Sequence, residues 1–353
     1  RLVLACSGDP SRNAEELCLG QANGLVAALR AYVESCQSSK LGCPLSGDVD
    51  SGVSQVRECL ESTKTAPVPT SDSKRPLTYD LAVYGVLGSM YQTQAWPSLT
   101  LGLSQAMGKE GKPDGSALLK LADLVSSRES DGTYSNNGAE ALMAVNCLDY
   151  PVQGDNASWE KNAKAIKETS PTFGSQLLYP DAYCQGWGHT SSRKREKITA
   201  SGAAPVLVVG TTGDPATPYA WSQALAEQLE SGQLLTWEGD GHTAYGRSGP
   251  CIHDAVTCPL PCHRRRTRSA VSRRRPHRRH RRRRSTPSSR DTGRRPAPPL
   301  GSRGPTSART SPLSPDDQGL PRRSPSRTAV AAPYGSAAAS DRTRDPGIRD
   351  CPR

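Results

Sequence analysis

The chain has 353 residues and a formal net charge of +11, but the charge is unevenly spread. Residues 259–353 hold 25 Arg, no Lys, 6 Asp and no Glu, a net of +19, which leaves residues 1–258 at −8. The basic character therefore belongs to the tail, and residues 1–258 have the composition of one mildly acidic globular unit with room for a sizeable core. No run approaches the ~18 apolar residues of a membrane-spanning helix, and no Cys-x-x-Cys pair suggests a zinc or redox centre. Nine of the eleven cysteines lie at or before Cys258, a usage that favours disulfides in an oxidising, extracytoplasmic setting. The chain opens at Arg1 without a methionine, so the lack of a secretion signal carries no information.

In chain order, RLVLA at the start reads as the end of a strand, and Asp9-Pro10 turns the chain. Residues 13 to about 35 carry a strong helix signal. Asn13 is the N-cap, Glu16 stands three residues later, and Leu25, Leu29, Tyr32 and Val33 make an apolar stripe. Further helices are predicted at about 50–63, 78–91, 97–109 with Pro97 in the first turn, 115–128, 136–148 and 157–169. Strand signals are weak throughout, so residues 10–200 read as a helical lid inserted between strands of a sheet, with residues 1–9 as a truncated core strand and turn. Cys36 and Cys43 flank a short Ser/Gly-containing loop that a disulfide would close, and a Cys147–Cys184 bond would tie a helix to a distant loop. Buried free thiols are the alternative.

Residues 201–258 change the pattern. Val206 to Val209 is a short β-branched run bounded by Pro205 and Gly210, read as a buried strand that ends at Gly210. A polar turn through Asp214-Pro215 follows, then a helix with Trp221, Leu225 and Leu229 on one face, stopped at Ser231-Gly232. Gln233 to Trp237 reads as a second strand, and Gly239-Asp240-Gly241 turns into His242. One helix and one strand fill the interval from Asp214 to His242, so both would emerge at the same edge of a parallel sheet. A serine hydrolase of the α/β type needs a carboxylate and an imidazole brought together in that way. Alternatives remain for each. Asp214 could merely cap the following helix, Asp240 is the rival acid, and His242 could be an exposed loop histidine. His189 and His253 read as structural or solvated. No pair of His, Cys or acidic residues has metal-ligand spacing, so neither a metal nor a cofactor is expected.

PVLVVGTTGDPATP and GDGHTAYGRS resemble the C-terminal part of the secreted actinobacterial tripeptidyl aminopeptidases, a branch of the α/β-hydrolases. The resemblance implies an α/β fold: a partial α/β-hydrolase with a large helical lid and the last strands of a parallel sheet, followed by a disordered tail. It implies Asp214 as triad acid and His242 as triad base. It also implies a secreted or envelope-associated enzyme that acts on peptides with free N-termini, with a proline iminopeptidase or esterase of the same fold as the alternative. DGTYSNNGAEALMAVNCLDYP and DAYCQGWGH resemble the family's lid. An aminopeptidase needs carboxylates where the substrate's α-ammonium ends, and Glu140 and Asp149 are the candidates. No Gly-x-Ser-x-Gly occurs in the chain. The expectation is that the nucleophilic serine lies upstream of Arg1 and that this chain is inactive alone.

The tail, residues 259–353, is built mainly of Arg, Pro, Ser, Ala, Thr and Gly and has too few apolar residues for a core. This is the alphabet of a GC-rich gene read out of frame, which is the reading preferred here. A genuine Arg-rich arm would instead bind nucleic acid without specificity, since it offers no run of interleaved aromatics for stacking.

Overall fold

The computed structural model describes residues 2–257, apart from Leu41, Glu110 and Thr190, together with Arg349–Cys351. The chain starts on a strand, β1 (Leu2–Ala5), and runs at once into helices: α1 (Ala14–Gln37), α2 (Val49–Ser62), α3 (Tyr79–Ser89), α4 (Trp96–Ala106), α5 (Ser116–Ser126), α6 (Gly138–Asp149) and α7 (Asn156–Thr169). Each falls where the sequence pattern predicts a helix, and the starts of α1, α2 and α7 are fixed by local side-chain caps. Asn13 Oδ1 accepts from the Glu16 amide at 2.8 Å while Glu16 Oε2 accepts from the Asn13 amide at 3.0 Å, a reciprocal capping box. Asp48 accepts from the Ser51 amide at the start of α2, and Asp155 from the Ser158 amide at the start of α7.

The lid has its own apolar core. Leu25, Leu29, Tyr32 and Val33 of α1 are almost fully buried and form one cluster with Leu60, Val86, Leu99, Leu103, Leu118 and Phe173. Tyr32 lies edge-on to Trp96, with ring centroids 5.8 Å apart, and its hydroxyl is 3.1 Å from the hydroxyl of Thr100. Disulfides join Cys36 to Cys43 and Cys147 to Cys184, the second tying α6 to α8 (Pro180–Trp187). Cys6, Cys18 and Cys59 are free thiols. The sequence pattern does not predict α8. It is eight residues long and follows Tyr179, which sits in the left-handed region at φ 57°, so it is too short to show an apolar period.

After the lid come β2 (Val206–Gly213), α9 (Tyr219–Gln228), β3 (Gly232–Asp240) and α10 (Pro250–Thr257). With β4 (Arg349–Cys351) they complete a parallel sheet in the order β1-β2-β3-β4. Val206, Val208 and Leu234 pack beneath Leu225 and Leu229 on one face, and Val209 and Leu235 pack with Ala244 and Ile252 on the other. Burial on both faces explains the unbroken apolar run. The first of these strands does not end at Gly210, as its apolar content suggests. It continues through Thr211 and Thr212 to Gly213, with an irregular register before Gly213 pairs with Asp240. The Thr212 hydroxyl spans that irregularity, 3.3 Å from the Gly239 carbonyl and 3.1 Å from the Gly239 amide. The expected disorder of 259–353 falls outside the described residues, except that Arg349–Cys351 form a strand rather than coil.

One buried hydroxyl in this unit lacks a partner. Ser222 Oγ on α9 is fully enclosed and makes no hydrogen bond. Ser222→Ala removes a dehydrated polar atom at little cost in packing. Urea unfolding is expected to show a change between neutral and about 1 kcal/mol of added stability. A clear destabilisation would mean that Oγ has a partner after all.

Candidate acid–base site

Asp214 follows the last residue of β2 and is buried. Its Oδ1 accepts from the amides of Ala216 at 2.8 Å and Thr217 at 2.9 Å, and its Oδ2 from the Thr217 hydroxyl at 3.0 Å and the Thr243 amide at 3.4 Å. Those donors hold the carboxylate in one orientation. His242 Nδ1 completes the set, 3.0 Å from Oδ1 and 3.1 Å from Oδ2. Asp214 therefore organises the turn after β2 and meets the imidazole, but it does not cap α9, whose N-cap is Pro218. Asp240, the rival acid, ends β3 opposite Gly213 in the register.

The histidine is held from the lid side as well. Its backbone N–H donates to the Tyr91 carbonyl at 2.8 Å, the Arg247 guanidinium donates to the same oxygen at 2.7 Å, and the Tyr91 ring lies edge-on to the imidazole at 5.5 Å. Gly241 makes this approach possible. It has φ +101°, and a Cβ there would sit 3.0 Å from the Tyr91 carbonyl oxygen. On the opposite side α1 closes over the acid loop at Gly24, where a Cβ would lie 2.8 Å from the Pro215 carbonyl oxygen. Asp9, beyond β1, anchors the neighbouring turn. Burial alone would raise its carboxyl, but hydrogen bonds from Gln228, Ser11 and Arg12 outweigh that and hold it below the usual range.

With Nδ1 committed to Asp214, the ring geometry turns Nε2 the other way, and His242 lines a cavity of about 960 Å³. The wall is largely apolar, with Leu17, Leu25, Tyr84, Leu121 and Met143 among its residues. Among the described residues that line it, Asp181 is the only carboxylate. Glu140 and Asp149 are exposed on α6 and are not among the lining residues. Ser89, a cavity-lining serine, is buried and donates its hydroxyl to the Gly85 carbonyl one turn earlier at 2.8 Å. Among the described residues no serine hydroxyl hydrogen-bonds to His242. His189 is exposed beside Trp187, and His253 is exposed and stacked on Tyr245.

Cys6 also reaches the site. Its thiol, the Asp214 carboxylate and a His242 ring nitrogen lie within 4.8 Å of one another. These donor types suit a soft divalent metal. Here, however, the carboxylate is occupied by amide, hydroxyl and imidazole donors, the arrangement of an acid orienting a base. Burial, reinforced by the charge of Asp214 and opposed by Arg247, pushes the Cys6 thiol up to about 12, away from a reactive thiolate. Linear spacing could not reveal this cluster, because Cys6 comes from the end of β1 and the others from the ends of β2 and β3. Thr217 was likewise missed, although the turn Asp214-Pro215-Ala216-Thr217 places a hydroxyl three residues after an acid, a spacing that favours side-chain capping.

Residues 170–260 match a family model described as TAP-like protein, within the α/β-hydrolases. The serine protease Hip1 of Mycobacterium tuberculosis is 32% identical over 269 residues, covering 73% of this chain and 50% of the relative. Carboxylesterase B of the same species is 33% identical over 258 residues, covering 72% and 48%. A tripeptidyl aminopeptidase of Streptomyces lividans is 25% identical over 167 residues, covering 47% and 30%. The chain thus spans about half the length of the first two relatives. No helix among the described residues is long and apolar enough to cross a membrane.

Proposed function

We propose, on the premise that residues 170–260 are the TAP-like segment of an α/β-hydrolase, that Asp214 and His242 are the acid and base of a Ser-His-Asp hydrolase. The observation that carries this reading is the carboxylate–imidazole pair at 3.0 Å, formed between the ends of adjacent parallel strands with the ring on a cavity wall. Asp214 fixes the tautomer by accepting a hydrogen bond from Nδ1–H and stabilises the imidazolium. The free Nε2 takes the proton of the attacking serine and returns it to the leaving group. No Gly-x-Ser-x-Gly occurs in this sequence, so the reading takes the nucleophile from sequence outside it. The substrate class we assign is a peptide with a free N-terminus, and the compartment is extracytoplasmic, in keeping with the two disulfides. Similarity to a carboxylesterase favours an ester as the second reading. Assays of a longer, serine-bearing form on amino-blocked and free peptides and on simple esters separate the two.

A fluorophosphonate probe tests the division of labour. The isolated chain is expected to remain unlabelled, because Ser89 is tied back to its own helix and no serine hydroxyl among the described residues hydrogen-bonds to the imidazole. Stoichiometric labelling of any serine would overturn that assignment.

A further inference from the structure

The cavity that His242 enters has on its wall a buried carboxyl group without a cationic partner among the described residues. Asp181, in the first turn of α8, is 3% exposed and lines the cavity wall. Its Oδ1 accepts from the Gln153 amide at 2.8 Å. That bond anchors the loop before α7, yet it uses one oxygen, and Oδ2 has no hydrogen-bond donor among the described residues. No Lys, Arg or His among the described residues forms an ion pair with it. A purely structural carboxylate so thoroughly removed from water is ordinarily paired.

Asp181 does not stand alone. Glu15, in the first turn of α1, is half-buried, and its carboxyl is pushed up to about 7 by burial and then by the charge of Asp181. Cys18, one turn further along α1 and itself on the cavity wall, is pushed up to about 12 by burial, then by Asp181, then by Glu15. Burial raises Asp181 too, with the Gln153 hydrogen bond as the opposing influence. Asp181, disfavoured as an anion by burial, and Glu15, disfavoured by burial and by Asp181, lie beside an otherwise largely apolar chamber and are stabilised as carboxylates by whatever brings a positive charge there.

We infer that Asp181, supported by Glu15, is a subsite for an organic cation on the bound substrate, a primary ammonium or a guanidinium. The inference rests on the reading above in taking the cavity as the place where substrate meets His242. The carboxylate would hold the cationic end by accepting a charge-assisted hydrogen bond at Oδ2, and Glu15 would add to the local negative potential. The cation could be the substrate's α-ammonium or a Lys or Arg side chain.

Calorimetric titration of the full 353-residue chain with three amidated tripeptides provides the test: Ala-Ala-Ala with a free amine, acetyl-Ala-Ala-Ala, and acetyl-Ala-Ala-Lys. One or both cationic peptides are expected to bind at least ~10-fold more tightly than the neutral one. Preference for the free amine assigns the α-ammonium, and preference for the acetylated lysine peptide assigns a side chain. Asp181→Asn should erase the preference while leaving the neutral peptide's affinity unchanged. Equal affinity for all three, or no binding of either cationic peptide at millimolar concentration, overturns the subsite, as does a preference that survives Asp181→Asn. The comparison on the unaltered chain stands even if that variant does not fold. Binding needs no nucleophile, so the two readings fail separately. Loss of hydrolysis in the longer form with the preference intact removes the enzyme assignment alone, and hydrolysis without the preference removes the subsite alone.

Discussion

Asp214→Asn, made in a longer form that carries the nucleophile, is expected to lower kcat by roughly 10⁴-fold. The size of the effect follows from the hydrogen bonds. As a carboxylate, Asp214 presents both oxygens to donors, and His242 Nδ1 lies within 3.1 Å of each. Asn keeps one acceptor and gains an N–H₂ donor, so an Nδ1–H facing it loses its acceptor and the imidazole is driven to the tautomer with its proton on Nε2. That nitrogen can no longer take the serine proton. The substituted side chain still fills its place, and Ala216 and Thr217 can still donate to its remaining oxygen, so thermal stability should fall far less than activity. Thr217→Val gives a graded comparison. It removes the hydroxyl that donates to Oδ2 at 3.0 Å and leaves the acid and the base in place, so a smaller loss of activity is expected. If Asp214→Asn retains activity within about tenfold of the parent, Asp214 is not the acid that orients His242.

Tyr32→Ala is expected to cost about 3–5 kcal/mol in chemical denaturation, a large part of the roughly 5–15 kcal/mol that stabilises a typical domain. Tyr32 is fully buried at the centre of the lid core, touches Trp96 edge-on, and shares a hydrogen bond with Thr100. Its removal opens a cavity between α1 and α4 and takes one partner from the Thr100 hydroxyl, which keeps its bond to the Trp96 carbonyl at 3.0 Å. Tyr32→Phe keeps the ring and should cost only about 1 kcal/mol. A loss below about 1 kcal/mol for the alanine variant would mean that the lid helices are not packed on one another as described. The consequence reaches the site, because the Tyr91 carbonyl that holds the His242 loop is part of the same lid. Loosening the lid should therefore disorder the base as well as the cavity.

Much of the helical architecture was legible in the sequence because its determinants are local. Asn13 and Glu16, Asp48 and Asp155 mark helix starts through bonds that span three residues, and the stripe from Leu25 to Val33 marks the buried face. The β2–α9–β3 unit was legible for the same reason, together with the prospect that Asp214 and His242 would meet. The end of β2 was misread because polar Thr211 and Thr212 look like a turn. Their backbone pairing with β3 is a property of two strands, not of one stretch of chain.

The carboxylates show where local reading stops. Glu140 and Asp149 were singled out as ammonium anchors from a resembling lid segment, but α6 leaves both exposed and off the cavity wall. Asp181, in the unpredicted helix α8, lies on that wall. Which acid loses its water depends on what packs over it, here α1, α8 and the loop held by Gln153, and no window of sequence contains all three. Cys6 joins Asp214 and His242 for a similar reason, since parallel pairing brings the ends of β1, β2 and β3 to one edge across more than 200 residues of chain. By itself, the sequence determined helices α1 to α7, the strand–helix–strand unit and the prospect that Asp214 and His242 would meet, because caps, periodicity and spacing act over a few residues. Only the tertiary structure decided how that pair is held, by Thr217 and by the Tyr91 carbonyl, and which carboxylate is buried in the cavity, because those outcomes depend on long-range packing and the dehydration that packing imposes.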